Sequence, residues 1–199
     1  MAKYADVTAG QTEACINRLG GWDNFLRFIG GEGKVIFETI VNLLLAPLGT
    51  ILIPTSSGQF IVRDNFVKDT SKNAKVKISY VGDNFKAWFG GMIETPKGET
   101  TLRYSKLLKA SIDGPILAEL GNNAEVSLQH IFALMEMQKN GEAGFLLNNG
   151  WANIFYIRDK DGVLRTARVY WNVEGWRVNA YEISNPSGWC VGIRVFSQV

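Results

Sequence analysis

The sequence predicts an α+β protein with an N-terminal helical hairpin, a mixed central segment and a C-terminal four-stranded antiparallel meander. Three observations carry this prediction. Residues 1–33 contain two short helical patterns separated by Gly20-Gly21. Residues 34–145 mix apolar runs of helical and of strand type. In residues 146–199 apolar and polar side chains alternate, and turn residues recur between the runs.

The N-terminal hairpin is predicted from helix caps. Thr8 and Gln11 fit a capping box, in which the threonine oxygen accepts the third helical N–H and the glutamine reaches back. Gly20 and Gly21 can adopt the left-handed conformation that ends a helix. Asp23 can cap a second helix. We therefore expect two short helices on a tight turn, similar in outline to a helix-turn-helix.

The central segment is predicted to contain strands and helices. Residues 75–81 alternate apolar and polar side chains, which predicts a half-buried antiparallel strand with a basic outer face. Residues 100–120 are predicted to be helical, in two pieces that break at Asp113-Gly114-Pro115. Another helix is predicted over residues 124–139, because Asn123 can cap it and an apolar stripe follows.

Three turns divide the C-terminal segment into four strands. Asp161-Gly162 is a strong hairpin signal. Residues 172–175 and 185–188 supply two more turns rich in Asn, Gly, Ser and Pro. If each strand pairs with the next one along the chain, the four strands form an antiparallel meander.

Length and composition predict one domain over residues 1–199. The 199 residues are 46% hydrophobic and 20% charged, which is typical of a globular protein able to bury a sizeable core. Glu38 and Pro47 interrupt the most apolar stretch, residues 35–53, so no membrane span or membrane partner is predicted. The N terminus lacks a secretory pattern, and the two isolated cysteines suit a reducing compartment. We expect a soluble, cytoplasmic protein.

The chain offers few residues for catalysis. It contains one histidine and two cysteines, so a Ser-His-Asp or Cys-His site would depend on His130 alone. A Cys/His zinc site lacks ligands, and the glycine-rich residues 30–34 lack the Ser or Thr that ends a Walker loop. We assign no catalytic residue, metal or cofactor, and favour a non-enzymatic role. A carboxylate-based hydrolase stays open, because two acids and a pocket suffice for that chemistry.

Aromatic and arginine side chains interleave along the predicted C-terminal sheet. They can stack on bases or sugar rings, although aromatic residues also fill the cores and interfaces of sheets. Our leading hypothesis is a non-catalytic binding protein that holds an unidentified protein partner on this surface. The candidate binding residues are Trp151, Tyr156, Arg158, Arg168, Trp171 and Trp176.

Charge is distributed in blocks along the chain. Residues 61–110 carry 10 basic and 5 acidic side chains, a net charge of +5. Residues 111–150 carry 1 and 5, a net charge of −4, so the two blocks could pair within the fold. The alternative hypothesis is a nucleic-acid-binding protein that uses the basic residues 61–110 together with the N-terminal hairpin.

Several segments together carry a resemblance to other proteins. They are Gly20-Gly21 with residues 25–28, and residues 61–66, 76–89, 100–104, 113–121, 153–159 and 194–197. Over nearly its whole length the chain resembles a group of uncharacterised bacterial proteins met mostly in metagenomic sequence from small-genome candidate phyla. The resemblance implies a stand-alone bacterial protein that is not secreted. It implies no activity, ligand or site residue.

Overall fold

The computed structural model describes residues 8–31 and 43–199. The chain divides into two units, residues 1–42 and residues 43–199. The single domain expected over residues 1–199 stays a prediction.

Two helices form the described part of the first unit, α1 (Ala9–Arg18) and α2 (Trp22–Ile29). Thr8 caps α1 through a reciprocal pair of hydrogen bonds. Its hydroxyl oxygen accepts the backbone N–H of Gln11 at 3.3 Å, and the Gln11 side chain accepts the backbone N–H of Thr8 at 2.9 Å. The cap satisfies N–H groups that have no partner within the helix.

Two glycines form the turn between these helices. Gly20 and Gly21 have φ angles of 83° and 112°, which other residues rarely adopt. Of the predicted hairpin over residues 1–33, residues 1–7 and 32–33 lie outside the described residues, and the hairpin as a unit stays a prediction.

The second unit is built on a seven-stranded sheet with spatial order β1-β5-β9-β6-β7-β8-β3, and β2 and β4 form a separate pair. The strands are β1 (Leu45–Ile53), β2 (Phe60–Ile61), β3 (Ile78–Val81), β4 (Ile93–Glu94), β5 (Thr100–Leu107), β6 (Asn153–Arg158), β7 (Leu164–Asn172), β8 (Gly175–Glu182) and β9 (Arg194–Gln198). The helices are α3 (Val62–Asn65), α4 (Asp83–Phe89), α5 (Asp113–Leu120) and α6 (Leu128–Glu136), with a 3₁₀ turn at Gly121–Asn123.

The sheet is mixed. The β3–β8 and β6–β9 pairs are parallel, and the other neighbours are antiparallel. Helices pack together with this sheet in the second unit, so the predicted α+β class is confirmed.

The predicted four-stranded meander is wrong in its last strand. β6, β7 and β8 pair as consecutive antiparallel neighbours, but β9 lies between β5 and β6. Val195, Phe196 and Ser197 of β9 are all buried. A strand buried on both faces belongs at the centre of a sheet. Residues 185–188 lie in the connection between β8, which ends at Glu182, and β9, which begins at Arg194, and a turn signal there does not specify the partner of the next strand.

Two helix predictions in the central segment also change. Residues 100–107 form β5 and not a helix, and this strand bonds to β1 on one side and to β9 on the other. These long-range pairings outweigh local propensity. Helix α6 begins at Leu128, after Ser127, because Glu125 is bridged to Tyr156 of β6.

Each face of the sheet packs on a different hydrophobic cluster. The larger cluster joins α3, α4 and α6 to the sheet through side chains such as Val62, Phe85, Phe89, Ile131, Phe155, Val169, Trp176 and Phe196. The smaller cluster joins α5 to the opposite face through Leu45, Leu107, Ile116, Ile154, Tyr156 and Val195. β8 and β3, both described in full, contribute no residue to the smaller cluster. This second face of β8 and β3 therefore lies beyond the part that α5 covers, whereas on β7 Leu164 packs against the smaller cluster.

The described ranges contain no helix with the length and apolar character needed to cross a membrane.

Candidate binding surface

Cross-strand pairing places arginine and tyrosine side chains together on the face of β7, β8 and β3 that is turned away from the larger cluster. Tyr170 of β7 pairs with Arg177 of β8, and Arg177 pairs with Tyr80 of β3. Arg168 lies on the same face, because alternate residues of a strand point the same way. We call this set the Arg–Tyr face; its members are Tyr80, Arg168, Tyr170, Arg177 and Tyr181.

The guanidinium groups of this face stack on its tyrosine rings. The central guanidinium carbon of Arg168 lies 4.3 Å from the ring centroid of Tyr170. That of Arg177 lies 4.6 Å from the centroid of Tyr80 and 5.7 Å from that of Tyr170. A cation–π contact at an exposed site contributes about 0.5–1 kcal/mol. Four side chains therefore form an alternating ladder across three strands.

The two stacked guanidinium groups lack acidic partners. Neither Arg168 nor Arg177 forms an ion pair within the described residues, and the Nε atom of each is buried without a hydrogen-bond partner there. Arg165 differs, because its Nε lies 2.8 Å from the Asp159 carboxylate. A guanidinium stacked on a ring keeps its in-plane N–H donors for carboxylate or phosphate oxygens. The Arg–Tyr face is therefore positively charged, with unused donors.

A cleft of about 580 Å³ adjoins this face. Trp151, Tyr181 and Trp189 supply its aromatic walls, and both Arg168 and Tyr181 belong to the cleft and to the Arg–Tyr face. The rings of Tyr181 and Trp189 meet edge to face, with centroids 6.1 Å apart. We call this the tryptophan cleft; its other lining residues are Asn149, Gly150, Ala152, Asn185, Ser187, Gly188, Cys190 and Ile193.

A buried carboxyl group supports the wall of the tryptophan cleft. Asp113 is the first residue of α5 and is 1% exposed. Its Oδ1 accepts hydrogen bonds from the Trp189 indole N–H at 2.7 Å and from the Tyr156 hydroxyl at 2.8 Å. Burial raises the pKa of Asp113 above its ordinary value, although the hydrogen bonds from Trp189 and Tyr156 oppose this rise. The cleft wall is thus tied to the smaller core.

Of the six candidate residues from the sequence, the structure brings two to this site. Trp151 is exposed and Arg168 is half-buried, and both line the tryptophan cleft. Arg158 is also exposed, but it lies where β6 enters its hairpin and pairs with Glu125 at 3.0 Å.

The other three candidates pack on the hydrophobic clusters: Tyr156 and Trp176 are buried and Trp171 is half-buried, so their role in binding stays a prediction. Trp176 is 0% exposed, and its indole N–H donates to the backbone oxygen of Gln138 at 2.9 Å. Trp171 is its cross-strand neighbour and packs against it on the larger cluster, with ring centroids 5.3 Å apart. Tyr156 is 0% exposed in the smaller cluster that α5 covers. Strand alternation and helix packing, and not residue type, decide these positions.

Tyr80 belongs to the Arg–Tyr face, although the sequence pattern predicts it on the buried face of its strand. The alternation in residues 75–81 predicts that Ile78 and Tyr80 share a buried face. In the structure Ile78 is buried and Tyr80 is 38% exposed. The β3–β8 register shifts between these two residues, and such an irregularity sends the next side chain to the other face. No local signal in the sequence marks this shift.

The described residues offer little for hydrolysis or metal chemistry at this site. No Asp or Glu lines the tryptophan cleft in the part of the chain that the structure describes. The same part contains no group of three or more His, Cys, Asp or Glu side chains placed to hold a metal ion. Cys15 and Cys190 are free thiols, and both are exposed.

Comparison with known proteins places the chain in no established family: no family model, no curated protein and no solved structure matches it.

Proposed function

We propose that the chain is a non-catalytic binding protein that holds a protein partner on the Arg–Tyr face and in the tryptophan cleft. One observation carries this proposal. Arg168 and Arg177 present stacked guanidinium groups without an acidic partner, beside a cleft with three aromatic walls. Arginine, tyrosine and tryptophan are the side chains that contribute most to binding at protein interfaces.

The chemistry of the surface indicates the kind of partner. Guanidinium groups already lie over the rings of Tyr80 and Tyr170, so the face offers in-plane N–H donors more than free ring faces. Carboxylate groups accept such donors two at a time. The adjoining cleft has room for a flat apolar side chain. We therefore expect a partner segment that carries acidic residues next to an aromatic or large aliphatic one.

Affinity capture with matched charge variants tests the proposal. The tagged full chain is incubated with a native bacterial lysate and washed at low and then at high salt. The variant Arg168→Gln/Arg177→Gln should retain at least tenfold less of the partner, because it loses both charged donors. Arg158→Gln/Lys160→Gln removes the same net charge at the β6–β7 hairpin and should capture like the wild type. Equal capture by both variants, with thermal unfolding matched to the wild type, would contradict the proposal.

Nucleic-acid binding is the second candidate function, and the position of Tyr80 favours it. Tyr80 belongs both to the basic residues 61–110 and to the Arg–Tyr face, and Lys68 and Lys86 line the groove beside it. Binding of this kind should weaken steeply with salt, by about one unit of log–log slope for each neutralised phosphate. A titration of single-stranded RNA and DNA at several salt concentrations distinguishes it from a protein interface.

A carboxylate-based hydrolase is the third candidate and has the least support, because two of the three acidic side chains that line one recess, Glu125 and Asp159, are paired with arginines. The buried carboxyl of Asp113 bonds to a tyrosine and a tryptophan, not to a second carboxyl group. A bacterial origin and a cytoplasmic location remain part of the proposal, and they define the lysate in which the partner is sought.

A further inference from the structure

A recess of about 370 Å³ lies between the start of α6 and the loop of residues 54–59. Ile53 and Phe132 of the larger cluster line this recess, and it shares no lining residue with the tryptophan cleft. Lys97, His130 and Phe132 are among its lining residues. We call it the His130 recess.

Hydrogen bonds hold the walls of this recess in place. The Gln129 side chain donates to the Thr95 backbone oxygen at 3.0 Å and accepts the Ser56 hydroxyl at 2.7 Å. Ser56 and Lys97 are joined through their backbones, since the Ser56 N–H donates to the Lys97 oxygen at 3.0 Å. One buried side chain of α6 therefore ties together the two loops that form the mouth.

His130 presents an unused hydrogen-bond donor at this place. Its Nδ1 accepts the backbone N–H of Ser127 at 3.4 Å, so a neutral ring carries its proton on Nε2. His130 is 5% exposed, and its Nε2 has no hydrogen-bond partner within the described residues. Buried polar groups are nearly always paired in native proteins. The buried, unpaired Nε2 of His130 is therefore unusual, and an acceptor atom of a bound ligand would satisfy it.

Lys97 supplies a positive charge beside this donor. Its side chain is exposed, and it has no ion-pair partner in the described ranges. Burial, and after it the charge of Lys97, lowers the pKa of His130 from 6.5 to about 4. The imidazole is therefore neutral near pH 7, and Lys97 provides the local charge.

Two recesses border His130, and the charges of their lining residues determine which one suits an anion. A second recess of about 430 Å³ also touches His130 and Lys97, but three acidic residues line it, Glu94, Glu125 and Asp159, against one further basic residue, Arg158. On the side of the loop of residues 54–59, the one acidic lining residue is Glu136, which pairs with Lys75 at 3.5 Å. The His130 recess is thus the side with the less negative lining.

We propose that the His130 recess binds the oxyanion group of a small metabolite, a carboxylate or a phosphate. One ligand oxygen accepts the Nε2–H of His130, and the Lys97 ammonium group pairs with the anion. The volume lies within the range of small-molecule sites. Because Nε2 is buried in the described structure, binding requires a neighbouring side chain to move. The proposal does not depend on the Arg–Tyr face.

Nuclear magnetic resonance can test this site directly, because His130 is the one histidine of the chain. The ¹⁵N-labelled full chain is titrated at pH 7 with inorganic phosphate, with succinate, and with sodium chloride at matched ionic strength. We expect a saturable shift of the His130 Nε2–H signal with phosphate, succinate or both, and none with chloride. The titrant that saturates at the lower concentration distinguishes a phosphate from a carboxylate ligand.

Two lysine variants complete the experiment. Lys97→Gln should weaken binding about tenfold or more, as expected for the loss of a charged partner. Lys72→Gln removes an exposed lysine that does not line the recess and should bind like the wild type. Absence of a saturable shift with both anions would overturn the proposal, as would equal affinity of the Lys97→Gln variant and the wild type. Because Lys97 is exposed, its replacement should leave the chain folded, and a wild-type amide spectrum serves as the check.

Discussion

Trp189 donates its indole N–H to the carboxylate of Asp113 across 2.7 Å, although the two residues are 76 positions apart. The same carboxylate oxygen accepts the hydroxyl of Tyr156 at 2.8 Å. One wall of the tryptophan cleft is therefore positioned by a carboxyl group at the start of α5. The carboxyl group and the Tyr156 hydroxyl are buried, whereas Trp189 is half-buried where it lines the cleft.

Asp113→Ala should destabilise the second unit much more than Asp113→Asn. Alanine leaves the Tyr156 hydroxyl and the Trp189 N–H without an acceptor, at about 1–3 kcal/mol for each buried group. Asparagine can keep Oδ1, and with it both hydrogen bonds. Urea unfolding at pH 7 measures the two free energies. A loss for Asp113→Asn as large as that for Asp113→Ala would contradict the assigned role of Oδ1.

The ionisation of Asp113 should make its contribution to stability depend on pH. Burial raises its pKa in the folded state above the unfolded value, so its contribution is fully present below the unfolded pKa. That contribution is lost as the pH rises through the folded pKa. The difference in unfolding free energy between the wild type and Asp113→Asn should therefore fall as the pH rises from about 4. A constant difference over this range would show that the carboxyl does not titrate differently on folding.

His130 should produce the opposite dependence on pH. Burial, followed by the charge of Lys97, lowers its pKa from 6.5 to about 4. The unfolded chain therefore takes up a proton between these values while the folded chain does not. Stability should be lost as the pH falls from 6.5 towards 4, by an amount on the order of 2–3 kcal/mol. The charged residues that line the same recesses are Lys75, Lys97, Arg158, Glu94, Glu125, Glu136 and Asp159.

An NMR titration of the single histidine measures its folded pKa directly, and His130→Gln should weaken the dependence of stability on pH. A folded pKa at or above 6.5 would contradict the assigned burial of His130.

Gly141→Ala should be strongly destabilising because of the ring of Trp171. Gly141 has φ = 74°, and a Cβ there would lie 2.2 Å from an atom of that ring. Gly150→Ala is the matched control, since Gly150 has φ = 87° and nothing lies within 4 Å of its Cβ position. Alanine at a positive φ is strained by about 1–2 kcal/mol in both variants. The difference between their unfolding free energies therefore measures the steric clash with Trp171. We expect Gly141→Ala to lose at least about 2 kcal/mol more in urea unfolding, as overpacked sites do.

Modification of Cys190 should block the tryptophan cleft. Cys190 is exposed and lines this cleft, whereas Cys15 belongs to the first unit. In a Cys15→Ser background, a bulky maleimide on Cys190 should reduce partner capture without changing thermal unfolding. The same label on Cys15, in a Cys190→Ser background, is the control and should leave capture unchanged. Full capture by the Cys190 adduct would exclude the cleft from the interface.

Part of the fold could be predicted because it depends on neighbouring residues. The Thr8 cap involves a residue three positions away, and the Asp161-Gly162 turn between β6 and β7 needs only a glycine with φ = 77°. The candidate site was less accessible to such reasoning. Trp151 and Arg168 were found from their residue types, whereas Tyr80 required the register shift of β3 and Trp176 required knowledge of the covered face.

By itself the sequence determined the mixture of helices and strands, the turns at Asp161-Gly162 and at residues 172–175, and the absence of a Cys/His zinc motif. Each depends on composition or on a few consecutive residues. Only the tertiary structure decided that β9 lies between β5 and β6, that Trp176 is buried, and that Arg168 and Arg177 stack without acidic partners. These outcomes depend on which distant segments meet, because a strand's partners and the face it buries are chosen by long-range pairing and packing.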